Sequence, residues 1–127
     1  MKVEAQIVNG PIVDRPTPAA ALGAGAVLVF EGVVRPMEDG RLLLAMDYES
    51  YDPMSENTLR TLAQHVAEEY QLLQLSVLHS RGRVLVGERS LLIMTSTERR
   101  TPAIEALKVF IDRLKIDVPI WKNPVWR

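Results

Sequence analysis

The stretch AGAVLVFEGVVRPMEDGRLLLAMDYESY, residues 24–51, decides the fold. Its first part, Ala24 to Val34, is almost wholly apolar and rich in valine, and it reads as a strand buried on both faces. Arg35 to Gly40 is a polar loop whose Pro36 and Asp39-Gly40 are turn residues. Leu42 to Tyr51 follows as a second long strand, and the Asp-Gly before it predicts an antiparallel hairpin with the two strands as neighbours.

On the N-terminal side, Val3 to Val8 reads as a short strand and Thr17 to Leu22 as a brief helix or turn, whose Pro16 and Pro18 fit only its start. On the C-terminal side, Asp52-Pro53 is a helix start, with a side chain to cap the free amides and proline at the first helical position. Leu59, Leu62, Ala63, Val66, Ala67 and Tyr70 repeat at threes and fours and form one apolar stripe. Leu72 to His79, Arg83 to Val86 and Ser90 to Ser96 read as three further strands, broken at Gly82 and at Gly87-Glu88. Thr101-Pro102 starts the last helix by the same cap-plus-proline logic, with Ile104, Leu107, Ile111 and Leu114 as its apolar face. The pattern is α+β: one domain over residues 1–127, a mostly antiparallel sheet and two main helices on it.

Composition narrows the functions. With 127 residues and 47% hydrophobic content the chain can bury a core of its own. Fifteen basic against 16 acidic side chains leave a formal charge of −1, so no overall basic field drives nucleic-acid binding and any anion site is local. The absence of cysteine excludes disulfides, thiolate metal ligands and a cysteine nucleophile or persulfide on this chain. The opening MKVEAQIVNG lacks the regions of a secretory signal, and no apolar run reaches the roughly 18 residues of a membrane helix, so the expected location is the cytoplasm, away from membranes.

The residues with chemistry to offer are mostly cations. Arg113 to Lys122 reads RLKIDVPIWK, with Lys115 and Lys122 on either side of Pro119. Proline removes a backbone donor and biases Val118 away from the α region, so Lys115 belongs to the last helical turn and Lys122 to an extended segment beyond it. Two ammonium groups then converge from different elements on a spot suited to an anion. At 100° per residue, Lys115 falls about 40° from Ile111 and about 20° from Ile104, at the border of the expected buried stripe. A packed stem with its amine in a cleft is one reading; a snorkelling lysine at the negative helix end is the other.

Arg35 stands where a buried strand hands over to a loop, and Arg99 and Arg100 stand before the last helix, where guanidinium groups and free amides suit a phosphate. A solvated pair balanced by Glu98 and Glu105 is the simpler reading of Arg99 and Arg100. His65 lies on the polar side of its helix, and His79 ends a strand, where a lone histidine is more often structural than catalytic. Two distant histidines without HxxxH-type spacing make no metal site. The serines lack a G-x-S-x-G elbow, and Gly23-Ala24-Gly25 precedes a strand rather than the helix a phosphate loop needs.

Taken in order, GAVLVFEGVVR (Gly25 to Arg35), YESYDPM (Tyr48 to Met54), HSRG with GE (His79 to Gly82, Gly87-Glu88), Arg99-Arg100 before a helix, and LKIDVPIWK (Leu114 to Lys122) resemble the large, catalytic subunit of molybdopterin synthase. The resemblance runs from about Val3 to Lys122 and rests on order and spacing. It implies an α/β hammerhead fold and a homodimer that binds a small ubiquitin-like sulfur-carrier subunit at each end, a heterotetramer. The carrier's C-terminal Gly-Gly thiocarboxylate would donate sulfur to cyclic pyranopterin monophosphate, and two transfers would give the dithiolene of molybdopterin. No cofactor or metal is implied. By the same resemblance Lys115 is the principal catalytic lysine and Lys122 the second, Arg35 lines the substrate site, and Arg100, beside Arg99, is contributed across the dimer interface.

The chain departs from the family pattern in three places. Arg99-Arg100 replaces a usual His-Arg, which removes imidazole chemistry there while favouring anions. His79-Ser80 replaces another His-Arg, with Arg81 as the substitute. The sequence stops five residues after Lys122, where relatives often continue, so the tail's work is expected to be absent or done otherwise. Two competing functions remain: a non-catalytic module binding an anion or a protein with the same cations, and, more weakly given 6% aromatic residues, an RNA-binding domain.

Overall fold

A computed structural model describes residues 1–13 and 23–127; the helix or turn expected at Thr17 to Leu22 lies outside the described residues. Among these, the order is β1 (Lys2–Asn9), β2 (Ala26–Val33), β3 (Met37–Glu38), β4 (Arg41–Ser50), α1 (Met54–Glu69), β5 (Gln74–Leu85), β6 (Arg89–Thr97), α2 (Arg100–Asp117) and β7 (Ile120–Trp126). The strands join in one sheet along β2-β6-β5-β4-β3, all antiparallel neighbours, while β7 runs antiparallel to β4 and β1 lies parallel to β5. The expected α+β class is therefore observed.

The expected hairpin is not. β2 pairs with β6, from Ala26 opposite Thr97 to Val33 opposite Arg89, and does not neighbour β4. Asp39 and Gly40, both at positive φ (50° and 76°), do make a tight two-residue turn, but the arm facing β4 is the two-residue β3, Met37 opposite Leu42. Pro36 has no amide to continue a ladder, and Val34 turns instead to Glu88 and Gly87 through backbone bonds of 3.0 and 2.9 Å. Nor is β2 buried on both faces. Leu28 and Phe30 point inward, whereas Val27, Val29 and Val33 are 41%, 38% and 47% exposed, the alternation of an edge strand with one covered face.

Gly82 does not break a strand. Its φ of +90° lets β5 run on from Gln74 to Leu85 while changing partners, with β1 and β6 flanking the first part and β4 pairing Gly82 to Leu85. Neither helix uses the expected cap. Pro53 and Arg99 precede the first helical residues without a side-chain cap bond. Asp52 instead accepts hydrogen bonds from the Ser50 hydroxyl and from Arg81, and Thr101-Pro102 fall inside the first turn of α2, where proline's missing donor has no partner to lose.

The stripe of α1 is buried as expected at Leu59, Leu62, Ala63, Val66 and Ala67, with Tyr70 partly covered. On α2 the buried line is Ala103, Ala106, Phe110 and Leu114, while Ile104 is exposed and Leu107 and Ile111 are partly covered. The alanines let the helix approach α1 and the sheet closely, and Phe110, fully buried, fills the space between. Its removal to alanine would cost about 3–5 kcal/mol. A second apolar cluster of Val34, Leu43, Met46 and Val84 packs against Tyr48, Val86 and Trp126. No helix among the described residues is long and apolar enough to cross a membrane.

Candidate functional site

Lys115 lies in the last turn of α2, as expected, and Val118 leaves the helix with extended geometry (φ −90°, ψ 123°). Its amide still reaches Leu114 O (3.2 Å), and the Ile120 amide folds back to Val118 O (2.8 Å), so the chain reverses at Pro119 and enters β7. There Lys122 stands opposite Tyr48 of β4. Arg35 follows Val34 just past β2, and its guanidinium makes an exposed 3.4 Å pair with Glu38. Arg35, Lys115 and Lys122 line one cavity of about 610 Å³. Three elements thus bring three cations to one place. Lys115 is exposed rather than half-packed, because the buried line of α2 runs through Phe110 and Leu114 rather than Ile104.

The sequence reading missed the floor of this cavity, made by Tyr48, His79 and Ser90. Tyr48 Oη donates to Ser90 Oγ at 3.0 Å. Burial pushes the Tyr48 pKa up, the Ser90 bond opposes that, and the charge of Glu38 adds to it. His79 is buried, edge-on to the Tyr48 ring with centroids 5.3 Å apart. Its Nδ1 lies 2.8 Å from the Ser80 carbonyl, which can only accept, so Nδ1 carries the proton and Nε2 is left as an acceptor. Burial holds the His79 pKa below its usual value, the Ser80 carbonyl pulls it up, and the Lys122 charge pushes it down again. The imidazole is therefore neutral at neutral pH, and the floor adds hydrogen-bonding groups but no fourth charge. Tyr48 and His79 open two of the motifs quoted above and Ser90 carries no local signal, but only strand pairing across β4, β5 and β6 brings the three together.

Arg99 and Arg100 lie elsewhere. With Gly25, Glu98, Thr101 and Pro102 they line a separate cleft of about 670 Å³ at the start of α2. Gly25 is required there: a Cβ would come within 2.1 Å of the Glu98 carbonyl oxygen. From Arg100 to Lys115 the helix rises by about 22 Å, so within one chain the arginine pair does not reach the lysines. The five candidate residues divide into a converging set of three and a remote set of two. His65 is exposed, and the described residues contain no cluster of His, Asp or Glu that could hold a metal ion.

The sequence model of the MoaE protein family matches residues 9–117. A molybdopterin synthase catalytic subunit from Arabidopsis thaliana is 38% identical over 103 residues, covering 81% of this chain and 52% of that protein. The chain spans about half the length of the curated relatives it matches. Among solved structures, molybdopterin synthase from Staphylococcus aureus superposes with a TM-score of 0.84 at 31% identity, covering 97% of this chain and 91% of that one. A complex of subunits 1 and 2 of the molybdopterin-converting factor from Helicobacter pylori gives 0.76 at 26% identity, covering 98% and 88%.

Proposed function

The chain belongs to the MoaE protein family, and on that premise we propose that it is the catalytic subunit of a molybdopterin synthase. In this reading residues 1–127 work as one cytoplasmic domain that takes sulfur from the C-terminal thiocarboxylate of a small ubiquitin-like carrier and delivers it to cyclic pyranopterin monophosphate. The observation that carries the reading is the convergence of Arg35, Lys115 and Lys122 on one cavity in a chain without cysteine. Sulfur must then arrive on a partner, and both it and the substrate phosphate are anionic.

Lys115 steadies the thiocarboxylate and the charge that develops as sulfur attacks the pterin side chain, since a fixed ammonium in a sheltered site acts without reorganising. Lys122 and Arg35 hold the substrate anion, Arg35 in the forked manner of a guanidinium. A cavity of about 610 Å³ falls in the range that encloses a small molecule. Two transfers complete the dithiolene. Arg99 and Arg100 serve the site of a neighbouring copy, so the assembly is a homodimer with a carrier at each end, a heterotetramer; the Helicobacter pylori complex, which pairs two such subunits, supports the carrier.

Arginine at position 99, where the resemblance has histidine, favours a second reading in which the chain binds its ligands without turnover. One assay separates the two. The chain is mixed with thiocarboxylated carrier and the cyclic precursor, and dithiolene product is measured. Product at a rate dependent on this chain supports catalysis, whereas saturable binding without product leaves the non-catalytic module.

A further inference from the structure

We infer that Ser55 is a positioning residue that sets the separation of Lys115 and Lys122 by pinning the Pro119 turn between them. Ser55 is the second residue of α1 and is fully buried. Its hydroxyl donates to the Pro119 carbonyl at 2.7 Å and accepts the Tyr51 amide at 2.6 Å. A hydroxyl has one proton to give, and here it goes to the residue between the two lysines.

The ladder of β4 and β7 explains why this bond matters. It runs from Leu43 opposite Trp126 to Ser50 opposite Ile120, so the next pair would be Tyr51 with Pro119. Proline has no amide to offer that pair. The Ser55 hydroxyl stands in for the missing rung, joining the Tyr51 amide on one strand to the Pro119 carbonyl on the other. The Tyr51 and Trp121 rings, 5.7 Å apart and edge to face, close the same end of the ladder. Lys115 is held by its helix and Lys122 by its pairing opposite Tyr48, and the offset between helix end and strand start is set in the turn of Val118 to Ile120, where the Val118 and Ile120 amides bond Leu114 O and Val118 O and the Pro119 carbonyl is left to Ser55. Ser55 does not line the cavity, so its influence on the site passes through this turn.

The inference rests on the proposed function only where turnover is read. The chain has four lysines, Lys2, Lys108, Lys115 and Lys122, so ¹³C-dimethylation gives a small set of NMR signals assignable by substitution. In Ser55→Ala the Lys115 and Lys122 signals should move while those of Lys2 and Lys108 stay, and turnover should fall roughly 10-fold, on the way to the ~10² that a 1 Å misplacement costs. In Ser55→Cys, which keeps the size and a weak donor, both changes should be partial; if the alanine variant does not fold, the cysteine variant decides alone. Unmoved Lys115 and Lys122 signals in a folded variant, or equal movement of all four, would overturn the inference. Wild-type chain without turnover would remove the proposed function while the lysine signals still decide this point.

Discussion

The two ends of α2 carry the same kind of charge and are built differently. At its C-terminal end, Lys115 meets Lys122 from β7 and Arg35 from the segment after β2, above a neutral floor of Tyr48, His79 and Ser90. At its N-terminal end, Arg99 and Arg100 come from one stretch of chain and face Gly25 and Glu98, and among the described residues no second element brings a further cation. Convergence is what makes the first end a site and leaves the second a half of one. A cleft with two guanidinium groups and helix amides is suited to completing an anion site, and the proposed dimer gives it one to complete.

The largest effect should come from the converging end. Lys115→Ala should lose roughly 10² or more in sulfur transfer, the scale for removing one preorganised charge, with folding kept because the residue is exposed. Wild-type rates in a folded, dimeric variant would return Lys115 to the role of a snorkelling side chain. Arg100→Ala should cost about 10-fold to 10², on the same scale for a charge that meets the anion. Mixing and re-forming dimers of the Lys115→Ala and Arg100→Ala chains should then recover activity, because a mixed dimer holds one site with both groups intact. No recovery would mean that the two ends of the helix never serve one site.

Lys122→Ala should be milder, about 10-fold, if its task is to position the anion rather than to steady the transfer. The floor predicts a pH effect confined to the converging end. His79 prefers its neutral form when folded, so its contribution to stability is present above its unfolded value of about 6.5 and is lost as pH falls through the lower folded value. Urea midpoints of the wild type should decline on acidification through that window, and His79→Gln should flatten the decline. Lys122→Ala should flatten it in part, since the Lys122 charge is one cause of the shift. The smallest effect belongs to Lys108→Ala. That residue makes an exposed pair with Asp112 at 3.2 Å, and activity and melting should stay within experimental scatter.

The legible parts of the molecule were those set by neighbours in sequence. Pro119 divides Lys115 from Lys122 by a local rule, and α1 shows its stripe because large apolar residues mark every turn. The phase of α2 was misread because Ala103 and Ala106 carry little hydrophobic weight while Ile104 carries much, and only the close approach of helix to sheet reverses their importance. Asp39-Gly40 announced a turn truthfully but could not name its second arm, since strand partners are chosen by pairing energy across the whole sheet. His79 reads as structural in the sequence for the same reason: its contacts with Tyr48 and the cavity arise from strands far apart in the chain.

β5 has one more consequence. From Gln74 to His79 it lies between β1 and β6, so fraying of one neighbour does not release that stretch from the sheet. Amide hydrogens from Leu75 to His79 should accordingly exchange with solvent only through global unfolding, far more slowly than those of the edge strand β2. The cavity floor would then be the last part of the protein to loosen, and the cations above it could rearrange around a substrate while the surface beneath them stays still.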